Sequence, residues 1–134
     1  MGRRLEALFL TAAIALLASA CGNSPSTDAT IAIRYSQFVA EAITVPASVP
    51  VTITLQNDDP IEHEWIVGTP EVHERHRTGT EPFHDEVPTE VTMPALSTRV
   101  TTLTFEREGE YAFICHLPGH EAYGMVGRLR VVEP

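Results

Sequence analysis

The sequence predicts an all-β chain that folds as an antiparallel β-sandwich of about seven strands. Apolar and polar residues alternate over short runs, most clearly at Val51, Ile53 and Leu55. Turn signals such as Asn57–Pro60 and Glu108–Gly109 separate the runs at roughly ten-residue spacing. The length of 134 residues suits one domain, and a 43% hydrophobic content suffices for a core.

The expected strands follow one another along the chain, each a short run rich in β-branched or aromatic residues. They lie at residues 31–35, 38–45, 51–55, 65–67, 100–105, 111–115 and 126–132. Residues 69–92 interrupt this rhythm, because they contain Pro70, Pro82 and Pro88 and no alternation. Val72 to Arg77 permit a short helix there, but the pattern assigns no structure to the segment. A connection of this length is typically functional or mobile.

The N-terminus is typical of a secretory signal peptide covering residues 1–20. Arg3 and Arg4 precede an apolar run at residues 8–17, and small residues follow at 18–20. Cys21 comes next, as in bacterial lipoprotein signals, which predicts its lipidation. The alternative is an ordinary cleavage site at which Cys21 is incidental. Residues 21–29 are then a flexible tether, and residues 30–134 the folded domain.

The net charge of −9 and a pI near 5.0 argue against nucleic-acid binding. Removing residues 1–20 takes away Arg3, Arg4 and Glu6, so the mature chain carries −10. We expect an extracytoplasmic monomer that a lipid anchor holds at a membrane. The sequence leaves open whether that is the periplasm or the outer face of a plasma membrane.

The residues with metal chemistry lie on one segment near the C-terminus. Cys115, His120 and Met125 follow one another at five-residue intervals. A thiolate, an imidazole and a thioether suit a soft redox metal, above all copper, and a blue-copper site needs a second histidine. His63 is the best candidate, because it follows a turn at the start of a strand. The other upstream histidines, His73, His76 and His84, lie in the irregular segment.

With these residues in place, the chain resembles the cupredoxin family, which includes plastocyanin, azurin and auracyanin. The spacing Cys115-x4-His120-x4-Met125 is most similar to the auracyanin and rusticyanin pattern. The resemblance implies a Greek-key, cupredoxin-like sandwich and one type 1 copper ion bound by His63, Cys115, His120 and Met125. One departure is Glu64, since many family members have Asn after the first histidine, and neighbours of the ligands tune the metal.

Two related copper centres are disfavoured. The chain has no His-x-His pairs for the trinuclear cluster of multicopper oxidases, and its ligand loop has one cysteine, Cys115, where a binuclear centre needs two. We therefore expect an electron-transfer protein cycling between Cu(I) and Cu(II), and not an enzyme. The alternative is a copper-handling chaperone or buffer. A redox-inert interaction module is a third class, which the intact ligand set disfavours.

Several further residues carry expectations. An apolar patch for electron exit is expected near His120, to dock a transient partner such as a cytochrome c or an oxidase; it comprises Leu117, Pro118, Ala122 and Tyr123. His73, His76 and His84 are either a weak second metal site or part of a solvated acidic loop. His116 is either an ordinary polar residue or a member of that second site. A Cys21–Cys115 disulfide is not expected, because Cys21 lies on the tether.

Overall fold

A computed structural model describes residues 24–80 and 87–134. The predicted signal peptide, Cys21 and His84 lie outside these residues. In the described part, nine strands and one helix follow one another along the chain: β1 (Asp28–Arg34), β2 (Gln37–Phe38), β3 (Ala42–Pro46), β4 (Pro50–Asn57), β5 (His63–Gly68), α1 (Pro70–Thr78), β6 (Glu90–Met93), β7 (Thr98–Thr104), β8 (Gly109–Ile114) and β9 (Val126–Val132). No helix in the described part of the chain is long and apolar enough to cross a membrane.

The strands form two sheets packed as a sandwich, which confirms the predicted fold class. One sheet has the order β2-β1-β4-β7 and the other β3-β9-β8-β5-β6. The pairs β1/β4 and β3/β9 are parallel, whereas the expectation was purely antiparallel. The chain crosses to the second sheet at β3 before β4 returns beside β1. Strand alternation identifies strands but not their partners, so the sequence could not reveal this crossing.

The core lies between the sheets and contains three neighbouring aromatic rings. Phe113 in β8 packs edge-on against Phe38, with ring centroids 5.0 Å apart, and lies 6.3 Å from the ring of Trp65. Along β4 every second residue faces this core, and Val51, Ile53 and Leu55 are fully buried. The same alternation brings the polar side chain of Asn57 inside at the end of β4.

The segment that broke the strand rhythm contains α1. The helix has Pro70 in its first turn and ends at Gly79, whose φ of 66° is the left-handed conformation that favours glycine. Its buried residue is His73, not an apolar residue. The helix therefore lacks the apolar stripe by which amphipathic helices are recognised, which is why the sequence assigned no structure here.

Candidate metal centre

Two neighbouring strands bring the predicted ligands together. His63 is the first residue of β5, and Cys115 directly follows the last residue of β8. β5 and β8 are antiparallel partners, with Ile66 opposite Ile114, so the start of one lies beside the end of the other. His120 and Met125 lie on the connection from β8 to β9. The sequence prediction that His63 meets this loop is thus consistent with the topology.

The three donor atoms of His63, Cys115 and His120 converge, all within 4.8 Å of one another. Nδ1 of His63 lies 3.2 Å from Nδ1 of His120, which lies 3.3 Å from Sγ of Cys115. His63 and Cys115 have no exposed surface, whereas His120 is partly exposed. Donor atoms this close together are able to share one metal ion.

Met125 closes the loop that carries these donors. Its carbonyl accepts a hydrogen bond of 3.2 Å from the backbone N–H of Cys115, and its N–H donates one of 3.1 Å to the carbonyl of His120. The Met125 side chain is fully buried in the same core cluster as Cys115. The donor set of two imidazoles, a thiol and a thioether fits a type 1 copper site.

Burial and hydrogen bonds to the sulfur together determine the protonation state of Cys115. Burial raises the pKa of Cys115, and bonds from the backbone N–H groups of Glu64 and Leu117 oppose that rise. The Glu64 N–H lies 3.3 Å from Sγ. Glu64, at the position where many family members have Asn, thus contacts the Cys115 sulfur through its backbone N–H. The metal-free site holds a neutral thiol, and metal binding displaces its proton.

Two polar residues before His63 were treated in the sequence only as part of a turn. The buried side-chain N–H2 of Asn57 donates to the carbonyls of Ile61, Met93 and Pro94 at 2.8, 3.2 and 3.0 Å. The Asp59 carboxylate lies 3.0 Å from Nε2 of His63. The available signal was an acidic residue four positions before a candidate ligand. It was missed because Asn and Asp next to Pro are the common composition of turns.

Two histidines of helix α1 contact His116, which lies on the connection from β8 to β9. Nε2 of His73 donates to the carbonyl of Ala112 at 3.2 Å, which leaves Nδ1 of His73 to accept from Nε2 of His116 at 2.9 Å. The ring of His76 stacks on the ring of His116 with centroids 5.2 Å apart. His116 is therefore a polar link between the helix and the loop. The weak second metal site at His73, His76 and His84 stays a prediction, since His84 lies outside the described residues.

An ion pair fastens the same helix to the same loop. Arg77 in α1 donates to both carboxylate oxygens of Glu121, with Nη2 at 2.6 Å and Nε at 3.0 Å. Glu121 directly follows His120. The histidine contacts at His116 and this pair at Glu121 therefore hold the loop from both ends of its Leu117–His120 section.

We expect metal-free protein to lose stability on acidification because of His73. Burial lowers the pKa of His73, and Arg77 and His76 lower it further, whereas the Ala112 carbonyl and Glu121 raise it. Below about pH 6.5, the usual pKa of histidine, His73 binds a proton more readily in the unfolded chain than in the folded chain. The free energy of unfolding should therefore decrease as the pH is lowered, by at most about 1.4 kcal/mol per pH unit for this one proton.

Urea unfolding of metal-free protein at pH 7.5 and 5.5 measures this effect, with His73→Gln as the comparison. The Gln amide does not titrate and can still donate to the Ala112 carbonyl. The variant should lose less stability between the two pH values than the wild type. An equal loss in both proteins would contradict the assignment to His73.

The residues of the predicted electron-exit patch differ in exposure. Leu117 is half-buried, whereas Pro118, Ala122 and Tyr123 are exposed, Tyr123 by 79%. The Tyr123 carbonyl accepts a 2.8 Å hydrogen bond from the side-chain N–H2 of Gln37, which fixes this part of the loop to the start of β2. The role of the patch stays a prediction.

The fold and the site together define the class of protein. A family model described as a cupredoxin-like domain matches residues 7–126, so the chain belongs to the cupredoxin family. It is similar to the copper-resistant cuproprotein CopI of Rubrivivax gelatinosus, with 27% identity over 116 residues, 82% of this chain and 70% of that protein.

Two solved structures have the same fold. Auracyanin of Roseiflexus castenholzii, reduced with dithionite, superposes with a TM-score of 0.70 at 22% identity and covers 81% of this chain and 99% of its own. Auracyanin A of Chloroflexus aurantiacus, a "blue" copper protein, gives a TM-score of 0.61 at 24% identity and covers 81% of this chain and 100% of its own.

Proposed function

We propose that this protein is an electron carrier with one type 1 copper ion, for which His63, Cys115, His120 and Met125 are the ligands. The convergence of Nδ1 of His63, Sγ of Cys115 and Nδ1 of His120 in a largely buried site carries the proposal. Four protein ligands leave no open position at which a substrate could bind the metal. A carrier therefore fits the site better than an enzyme does.

Copper supplies a one-electron couple at such a site. The protein contributes a ligand geometry that its own bonds hold in place. The Cys115 sulfur accepts from the Glu64 N–H, and the loop closes through the backbone bonds among Cys115, His120 and Met125. A site held in this way changes little on oxidation or reduction, which favours fast electron transfer. His120 is the partly exposed ligand, so we assign the electron's exit to its ring edge.

The partner and the location are part of the proposal. The apolar patch of Leu117, Pro118, Ala122 and Tyr123 would dock a redox partner briefly, because weak redox encounters bury little area. A net charge of −10 after signal removal would steer a basic partner such as a cytochrome c, and high salt would slow the encounter. Lipidation of Cys21 would keep the protein at an extracytoplasmic membrane surface.

Reconstitution of the purified metal-free protein with Cu(II) tests the function. We expect one equivalent to produce an intense visible absorption, reversible voltammetry and fast self-exchange between the two oxidation states. Slow or irreversible cycling of the copper form would contradict the carrier function.

Copper handling is a second candidate, which the similarity to the copper-resistant cuproprotein CopI favours. In that case further copper ions should bind without strong colour, and binding should depend on His73 and His76. Equilibrium dialysis that finds several coppers per chain, reduced to one by the double variant His73→Gln/His76→Gln, would favour handling over transfer. A stoichiometry of one in both proteins would favour the carrier.

A further inference from the structure

Asp59, in the turn between β4 and β5, uses both carboxylate oxygens in hydrogen bonds. Oδ1 accepts from the backbone N–H of Tyr35 at 2.7 Å. Oδ2 accepts from the backbone N–H of Ser36 at 2.7 Å and lies 3.0 Å from Nε2 of His63. Asp59 is 8% exposed, and the His63 ring is fully buried. A buried carboxylate with three donors is a built arrangement and not a chance surface contact.

The backbone of Asp59 is fixed as well. Its N–H donates to the side-chain carbonyl of Asn57 at 3.0 Å, and its carbonyl accepts from the N–H of Leu96 at 3.0 Å. Asn57 is itself anchored by three carbonyls at the end of the core face of β4. The carboxylate is therefore held relative to the strands and is not free to follow His63.

Asp59 also holds backbone in an unfavourable conformation. Tyr35, Ser36 and Leu96 all have positive φ, at 54°, 54° and 53°, and none is glycine. Such conformations persist where surrounding contacts impose them, and they cluster at functional sites. The backbone N–H groups of all three residues donate to Asp59. Asp59 therefore connects two strained turns to the start of β5, where His63 lies.

The contact decides which nitrogen of His63 carries the proton. An ionised carboxylate only accepts hydrogen bonds, so Nε2 of His63 must be the donor. The backbone N–H groups of Tyr35 and Ser36 each donate to one of the two carboxylate oxygens, an arrangement that favours the ionised form of Asp59. In neutral His63 the lone pair is then on Nδ1, the atom that faces Cys115 and His120.

We propose that Asp59 is a positioning residue of the metal centre, which selects the His63 tautomer and lowers the reduction potential of bound copper. The second effect follows from charge: an anion hydrogen-bonded to a ligand stabilises Cu(II) more than Cu(I). This inference rests on the proposed function for the potential, but the tautomer of His63 is a property of the metal-free protein.

Asp59→Asn tests the proposal, and the chain offers a matched control next to it. Asp58 is also a carboxylate in the turn, but it bonds to Arg34 at 2.8 Å and to Gln56 at 2.7 Å and does not contact His63. Asp58→Asn therefore removes the same charge at nearly the same place without touching the ligand. The difference between the two variants isolates the contact with His63.

Three measurements on the full chain are compared. In metal-free protein, ¹⁵N NMR of the His63 ring should report an Nε2–H tautomer in the wild type and in Asp58→Asn, and a shift toward Nδ1–H in Asp59→Asn. Competition titrations should find Cu(II) affinity reduced 10- to 100-fold in Asp59→Asn, with a smaller reduction for Cu(I). The potential should rise by about 59 mV for each tenfold change in the affinity ratio.

An unchanged tautomer together with equal losses of Cu(II) and Cu(I) affinity would overturn the proposal, because Asp59 would then only support the fold. Equal shifts in Asp58→Asn and Asp59→Asn would overturn it too. Should Asp59→Asn fail to fold, adding Tyr35→Gly and Ser36→Gly relieves the positive-φ turn and allows the same comparison. If the wild type lacks the intense band, the electron-carrier function fails, while the tautomer measurement still decides the role of Asp59.

Discussion

Replacing Cys115 with alanine should abolish the visible absorption of the copper-loaded protein completely. The colour of a type 1 site comes from charge transfer between the thiolate and Cu(II), and Cys115 is the free cysteine among the described residues. Cu(II) affinity should also fall sharply, because the thiolate is lost and only two imidazoles and a thioether remain as ligands. Absorption spectra during copper titration measure both effects.

Two comparisons make the Cys115→Ala result specific. His73→Gln should keep the full absorption, because His73 contacts His116 and not the donor atoms. Far-ultraviolet circular dichroism of the metal-free Cys115→Ala protein should match the wild type, since a small buried side chain is lost. Retention of an intense band in Cys115→Ala would contradict the assigned site.

Replacing Gly127 with alanine should strongly destabilise the protein. A Cβ at Gly127 would lie well inside van der Waals contact with the ring of Phe113. That ring cannot easily move away, because Phe38 and Trp65 pack against it. Overpacking of a filled core costs typically 1–3 kcal/mol, and we expect about 3 kcal/mol here. Urea unfolding of the metal-free protein measures the change.

A second variant separates the clash from other effects of alanine. In the background Phe113→Leu, the smaller side chain leaves room, so adding Gly127→Ala should cost less than it does in the wild type. Such non-additivity is expected of residues in direct contact. A Gly127→Ala protein within about 0.5 kcal/mol of the wild type, the range of ordinary surface substitutions, would contradict this account.

The sequence predicted the sandwich and a group of candidate metal ligands because both depend on local patterns. Alternation along β4 and the spacing from Cys115 to Met125 are visible in a single chain. The choice of His63 is consistent with the structure, in which the start of β5 lies beside the end of β8 and brings His63 close to Cys115 and His120. The strand order and the parallel pairs depend on contacts across the sheets, which periodicity does not encode.

The surroundings of the site were harder to predict for a different reason. Asp59 and Asn57 look like turn residues, and their contacts appear only in the fold, where the ends of β1 and β4 meet the start of β5. His116 and His73 are 43 positions apart, so their contact depends on how α1 packs on the sheet. The sequence identified the histidines of residues 69–92 as noteworthy, but it could not reveal that two of them contact His116.

The direction of β1 determines how the domain presents its metal centre. β1 runs from Asp28 to Arg34 and reaches the site through Tyr35, so Asp28 lies about 20 Å away along the strand. The polypeptide therefore enters the domain at the pole opposite His120. Any surface that holds the chain upstream of Ser24 would therefore be joined to the end of the domain that lies away from the His120 edge, and would leave that edge accessible to molecules in solution.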